Sequence, residues 1–225
     1  MRQYFRGHRI GNYLRPPPEH DLIYVKNPKA GCSTILLWLD RLHTGDHGFE
    51  PSNIHKENRL PTVREVGRPV VEQMLSGAAY RFSFVRNPLR RFESVYWDKL
   101  VPGSRLRLKA PAALSVWPDP HTFVSFEQFL TAVEQQDPMS DMNPHWRPQH
   151  VNLLHPLISY DRLGRLENFE SDLERIRAEV GLPDVPIEVR NASKQARTDS
   201  VYDNRPDLVR RVEQIYAKDF ELYGY

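Results

Sequence analysis

The chain has 225 residues, enough for one domain with a single core and short for two. A hydrophobic share of 40% and a charged share of 27% belong to ordinary globular protein, and a net charge of +2 argues against broad nucleic-acid binding. Cys32 is the single cysteine, so no intrachain disulfide can form, and no run approaches the length that crosses a bilayer.

The near-neutral balance conceals 24 arginines against 7 lysines. Arginine is the better planar, bidentate partner for phosphate, sulfate and carboxylate, although a GC-rich genome would also produce the excess. The start, Met1 to Arg6, is basic but lacks the apolar core of a signal peptide, so a cytoplasmic location is expected.

After a Pro-rich stretch at Pro16–Pro18, Asp21–Val25 is a short apolar run suited to a buried parallel strand. A loop at Asn27–Cys32 leads into Thr34–Leu39, which opens a helix that is apolar nearly all round and therefore buried. Val63–Leu75 reads as helical. Tyr80–Val85 is a second strand, running into Arg86-Asn87-Pro88, where Pro88 suits the first turn of a helix reaching about Lys99. Two strand–loop–helix units predict an α/β fold, a three-layer, P-loop-like and mainly parallel sheet flanked by helices. Residues 101–122 hold four prolines and read as an irregular excursion, a lid or substrate loop. Helices are expected near Phe126–Gln135 and His145–Leu154, and a third strand at Leu157–Tyr160. Asn168 is expected to cap a helix that stops at Gly181 and Pro183, and a last helix spans about Asp207–Leu222. No repeat divides the chain, and residues 1–225 read as a single domain.

Two segments carry anion chemistry. In Asn27-Pro28-Lys29-Ala30-Gly31-Cys32-Ser33-Thr34 a strand delivers a tight turn to a helix start, where backbone N–H groups and the positive dipole end favour an anion. Lys29 adds a mobile charge, Ser33 and Thr34 add hydroxyls, and Gly31 permits close approach. Lys29 precedes Gly31, so the nucleotide-triphosphatase order, with lysine after the last glycine, is absent. The second segment is Arg86–Tyr96. Arg86 sits at a strand's carboxyl edge, where α/β sheets bind ligands, and Ser94 lies about two helical turns further on. At least one of Arg90 and Arg91 reads as a solvated helix face.

Together these segments resemble the 5'-phosphosulfate and 3'-phosphate motifs of sulfotransferases that use PAPS (3'-phosphoadenosine 5'-phosphosulfate). The resemblance implies that Lys29, Ala30, Gly31, Cys32, Ser33 and Thr34 hold the 5' end of PAPS or its product PAP. It gives Arg86 and Ser94 the 3'-phosphate. Further segments resemble the carbohydrate sulfotransferases of the Golgi type, which include chondroitin and HNK-1 enzymes. They are His145-Trp146-Arg147-Pro148-Gln149, Arg165–Leu173, Asn191-Ala192-Ser193-Lys194 and Ile215–Tyr225. By the same resemblance Ser193 and Lys194 approach the nucleotide. That Golgi branch carries membrane anchors and several cysteines, so this chain looks like a compact, bacterial-type member, which leaves a glycosaminoglycan acceptor open.

Sulfuryl transfer needs in-line attack by a hydroxyl, electrostatic relief for the leaving phosphate and a base. Lys29 is the expected electrostatic catalyst. His55, in the position where that branch carries its catalytic histidine, is the expected base, with Glu57 the rival; His43 and His47, flanking Gly45, read as surface residues. His145 and Trp146 are candidates for contacting the acceptor, or equally a core aromatic beside a satisfied histidine; Glu57 joins them as a candidate contact. A sulfuryl group carries less charge than a phosphoryl group, and the nine histidines lack zinc-type spacing, so no metal is expected. The expected acceptor is a carbohydrate hydroxyl, with a small-molecule alcohol as the alternative. A P-loop-like small-molecule kinase and an inactive nucleotide-binding protein are the competing readings.

Overall fold

The computed structural model describes residues 14–15, 17, 20–67, 69, 72, 76–101, 123–155, 157–189 and 199–225. Its contacts gather into two units. One is formed by the described residues between His8 and Val85 and between Leu153 and Gln195, the other by those between Arg86 and Asn152 and between Ala196 and Tyr225.

The first unit holds the sheet. Strands β1 (Leu14–Arg15), β2 (Leu22–Val25), β3 (Tyr80–Val85) and β4 (Arg162–Arg165) lie side by side in that order. β2, β3 and β4 run parallel, with Tyr24 opposite Phe82 and Phe84 opposite Gly164, while β1 pairs antiparallel to β2. The expected α/β architecture is thus present. All four residues of β2 are buried, which is why it reads as an unbroken apolar run rather than an alternating one.

Helix α1 (Cys32–Thr44) packs Ile35, Leu36, Leu39 and Trp38 into a core with Leu22, Tyr24, Phe82 and Phe84, joined by Leu173 and Ile176 of a later helix. Gly45, at φ 70°, ends α1 by donating its N–H to the carbonyl of Arg41. One-turn helices follow at α2 (Ile54–Glu57) and α3 (Val63–Val66). The expected helix over 63–75 is broken, because Gly67 takes a left-handed φ of 77° directly after α3. Helix α7 is Phe169–Val180, stopped by Gly181 at φ 71°. Asn168 occupies its N-cap position, but its side chain makes no capping bond.

The third strand lies elsewhere than expected. Leu157 and Ile158 donate their N–H groups to the carbonyl of Leu154, closing a turn, and the strand forms from Arg162-Leu163-Gly164-Arg165. A Cβ on Gly164 would come within 2.5 Å of the Phe84 ring, so the absence of a side chain there is what lets β4 lie against β3.

The second unit is helical: α4 (Pro88–Lys99), α5 (Phe126–Glu134), α6 (Gln149–Asn152), α8 (Pro206–Ile215) and α9 (Ala217–Tyr223). Its core is aromatic. Phe92 stacks on Phe129 at 4.7 Å between centroids and lies 5.7 Å from Tyr216, and Trp146 meets Phe129 edge-on at 5.5 Å. Only residues 149–152 of the helix expected over His145–Leu154 are α-helical, with the carbonyl of Pro148 accepting the N–H groups of Val151 and Asn152; a separate turn precedes them, in which the carbonyl of Asn143 accepts from Trp146 and Arg147. The expected last helix is two helices, divided at Tyr216, whose φ of −107° leaves the helical range. Residues 102–122 lie outside the described residues, as do Ser193 and Lys194.

Candidate active site

The loop between β2 and α1 is held at both ends. Asn27 is fully buried and donates its side-chain N–H to the carbonyl of Phe84 in β3, 3.0 Å away. At the other end Gly31 is the N-cap of α1 at φ 77°, and a Cβ there would come within 3.1 Å of both Leu166 and Phe169. Lys29 is left-handed too, at φ 70°, an uncommon state for a residue with a side chain and one that recurs at ligand-binding turns. No side chain caps α1, and its first turn contains no acidic residue. A helix start with no acidic residue in its own first turn suits an anion, because its amides and its positive dipole end favour negative charge. The donor set of Lys29, Ser33, Thr34 and the first-turn amides therefore fits a phosphosulfate.

His55 comes to this loop from α2. Its Nε2 lies 3.0 Å from Ser33 Oγ and 4.0 Å from Cys32 Sγ. Asn53 caps α2 by accepting the N–H of His55. Beyond α2, Arg59 ties the segment to α1: its backbone N–H donates to Asp40 at 2.5 Å, and its Nε and Nη2 donate to the same fully buried carboxylate at 3.0 and 2.6 Å. The guanidinium also covers the ring of Phe49 at 3.9 Å, and its bonds to Asp40 and Asp46 raise its pKa. Asp40 and Arg59 escaped the sequence reading. Their only sequence signal is an acidic residue directly after the apolar run Ile35–Leu39.

Glu57 is occupied differently. Its carboxylate accepts from Ser52 Oγ at 2.7 Å, Ser52 N at 3.1 Å and Asn53 N at 2.9 Å, and the Ser52 hydroxyl leads in holding its pKa below the ordinary carboxylate value. A carboxylate stabilised in its charged form by three donors is a poor base. His43 sits in the last turn of α1, half-buried, and His47 is exposed in the turn beyond it.

In the helical unit, Arg86 is half-buried and directly follows β3 in sequence. Its backbone N–H donates to Gln149 Oε1 at 3.0 Å, and its carbonyl accepts from Gln149 Nε2 at 2.8 Å. Asn87 caps α4 by accepting the N–H of Arg90, and Pro88 fills the first position, as expected. Ser94 is half-buried within α4, and its neighbour Glu93 accepts from Ser200 Oγ at 2.9 Å and Val201 N at 3.0 Å. Arg90 is exposed, whereas Arg91 is 1% exposed and donates to the carbonyls of Arg147 and Pro144. Arg91 is therefore a packing bolt, not a solvated charge.

Trp146 is fully buried, its indole N–H donating to Gln136 Oε1 at 2.9 Å; of the two roles the sequence left open, its ring takes the core one. His145 is half-buried with Nδ1 2.9 Å from Asn143 Oδ1. Among the described residues no group of three or more His, Cys, Asp and Glu could hold a metal ion, and no helix is long and apolar enough to cross a membrane.

The model of the sulfotransferase family matches residues 14–225. Carbohydrate sulfotransferase 10 of Xenopus laevis is 25% identical over 92% of this chain and 65% of its own length. Carbohydrate sulfotransferase 14 of Danio rerio is 28% identical over 92% and 60%, and human carbohydrate sulfotransferase 8 is 30% identical over 80% and 46%. The chain thus spans about half to two-thirds of the length of the curated relatives it matches. No solved structure gives a significant match. With the match running from β1 to the final residue, the chain belongs to the sulfotransferase family.

Proposed function

We propose that the chain moves the sulfuryl group of PAPS to a hydroxyl of a carbohydrate acceptor. Lys29 to Thr34 receive the 5'-phosphosulfate, Arg86 and Ser94 the 3'-phosphate, and His55 the acceptor's proton. Ser193 and Lys194 join the nucleotide side by resemblance. The observation that carries this reading is the 3.0 Å approach of His55 Nε2 to Ser33 Oγ, which brings a base suited to neutral pH to the anion loop. The carbohydrate acceptor is supported by the names of the relatives, all of them carbohydrate sulfotransferases.

When bound, PAPS supplies an activated sulfuryl group, which passes to the acceptor oxygen as its bond to the 5'-phosphate breaks and the bonding pair leaves with the phosphate. His55 takes the hydroxyl proton at Nε2, the nitrogen that faces Ser33. Lys29 and the first-turn amides of α1 hold the charge gathered on the departing phosphate, a task suited to fixed donors that need no reorganisation. Ser33 keeps the imidazole directed at the loop until the acceptor arrives.

Thermal denaturation with PAP and with AMP tests the nucleotide assignment, because the two differ only in the 3'-phosphate. At a hundredfold excess over its Kd, PAP should stabilise the chain by about 2.7 kcal/mol, and AMP by far less at equal concentration. Equal shifts would remove the 3'-phosphate site. Transfer from labelled PAPS to a panel of glycans and simple alcohols tests the acceptor, and labelling of alcohols alone would overturn the carbohydrate assignment.

A further inference from the structure

Arg86 does not hold its own place. Both of its main-chain groups are taken by the primary amide of Gln149, N–H to Oε1 at 3.0 Å and carbonyl from Nε2 at 2.8 Å. This paired exchange is what a residue in an antiparallel ladder receives from the residue opposite it. A single side chain thus stands in for a strand partner at the first residue beyond β3.

Gln149 is itself fixed. It is fully buried, and its backbone N–H donates to Asp219 Oδ2 at 2.6 Å. Asp219, also fully buried, accepts from the N–H of His150 at 2.9 Å and lies 2.7 Å from His150 Nδ1 through Oδ1. One carboxylate therefore holds the first turn of α6 by two amides, so the turn cannot rotate without stripping a buried charge of its donors. The residues before it are locked as well: Arg91 donates to the carbonyls of Pro144 and Arg147, and Asn152 donates to Pro144.

We infer that Gln149, anchored by Asp219, is the positioning residue for 3'-phosphate recognition: it sets the main chain of Arg86, and with it the direction in which the guanidinium leaves the backbone. Gln149 touches no ligand in this role and acts only through Arg86. The inference rests on the reading that Arg86 receives the 3'-phosphate. A guanidinium on a long stem binds a phosphate more tightly when its base is fixed, because pre-organisation spares the cost of ordering it on binding.

The test is calorimetric binding of PAP and AMP to the wild type, Arg86→Ala and Gln149→Met, the last removing both bonds to Arg86 at similar volume. The wild type should prefer PAP, Arg86→Ala should lose the preference, and Gln149→Met should lower PAP affinity about tenfold or more while AMP affinity stays unchanged. A wild type that binds both nucleotides equally would overturn the reading of Arg86 itself. A wild type that prefers PAP, an Arg86→Ala variant that does not, and a Gln149→Met variant with the full wild-type preference would overturn the role of Gln149 alone. A purely structural Gln149 would lower thermal stability and leave the PAP-to-AMP ratio untouched, which also overturns it. If Gln149→Met does not fold, Gln149→Glu keeps the shape and the acceptor for the Arg86 N–H but loses the donor to its carbonyl. Its PAP preference should fall between those of the wild type and Arg86→Ala, and an undiminished preference sinks the inference.

Discussion

The Nε2 atom of His55 lies 3.0 Å from the hydroxyl of Ser33, in the first turn of α1. The Asn53-capped turn of α2 and the Arg59–Asp40 tie to α1 hold the segment that carries His55. On the proposed reading, His55 serves the transfer step rather than the grip on the nucleotide. His55→Ala should therefore reduce sulfuryl transfer about 10²–10⁴-fold while PAP affinity changes little. Initial rates at saturating PAPS, set beside calorimetric PAP binding, check this, and a wild-type rate would move the base elsewhere.

Glu57 is the obvious rival, and its surroundings predict a different behaviour. Its three donors from Ser52 and Asn53 close the turn on which His55 sits. Glu57→Gln should leave transfer close to wild type and lower the thermal midpoint. The carboxyl's folded-state pKa is lowered from its ordinary value of 4.5, chiefly by the Ser52 hydroxyl. Its stabilisation is then fully present above that ordinary value and is lost as the pH falls through the lowered one. The midpoint gap between variant and wild type should accordingly be widest near neutrality and close in acid. A gap that ignores pH, or a collapse of transfer, would contradict this assignment.

Much of this was legible in the sequence wherever the signal is local. β2 and β3 announce themselves as apolar runs because all of β2 and Phe82–Val85 of β3 are buried. Pro88 and Asn87 mark the start of α4, which ends at the expected Lys99. The anion loop is contiguous, so its glycine and lysine can be read without a structure. β4 was misplaced because its residues, Arg-Leu-Gly-Arg, lack strand chemistry; Gly164 is chosen by the Phe84 ring, a contact 80 residues distant in sequence. The single helix expected at the end is divided at Tyr216, whose hydroxyl donates to the carbonyl of Trp146, again a partner no periodicity reveals. Gln149 and Asp219 both lie in segments that resemble the family, yet nothing in either segment points to the other or to Arg86. Side-chain to main-chain bonds over such separations leave no pattern in one sequence.

Asp40 is a carboxylate at 0% exposure inside α1, and Arg59 supplies three of its hydrogen bonds. Arg59→Ala keeps only the backbone N–H, so a buried charge loses its countercharge. The expected cost is about 3 kcal/mol, the lower end for breaking a buried pair, because Arg59 is itself 38% exposed. Urea denaturation measures it. Since Arg59 lies two residues beyond α2, transfer should fall along with stability while the preference for PAP over AMP persists. A variant as stable as the wild type would mean that water already serves Asp40.

Gly31 separates the two ends of the nucleotide by a single substitution. Its φ of 77° is costly for any residue with a Cβ, and that Cβ would also press on Leu166 and Phe169 at 3.1 Å. The left-handed backbone alone costs roughly 1–2 kcal/mol, and the Phe169 ring, which packs against the core, would also have to give way. Gly31→Ala should therefore destabilise the chain by at least that amount and shift the start of α1. On the proposed reading both PAP and AMP present a 5'-phosphate to this loop, so both affinities should drop by a similar factor. That result is the opposite of Arg86→Ala, which should weaken PAP alone. Should Gly31→Ala weaken PAP and spare AMP, the loop would be reading the 3'-phosphate, and the two anion sites would have to be exchanged.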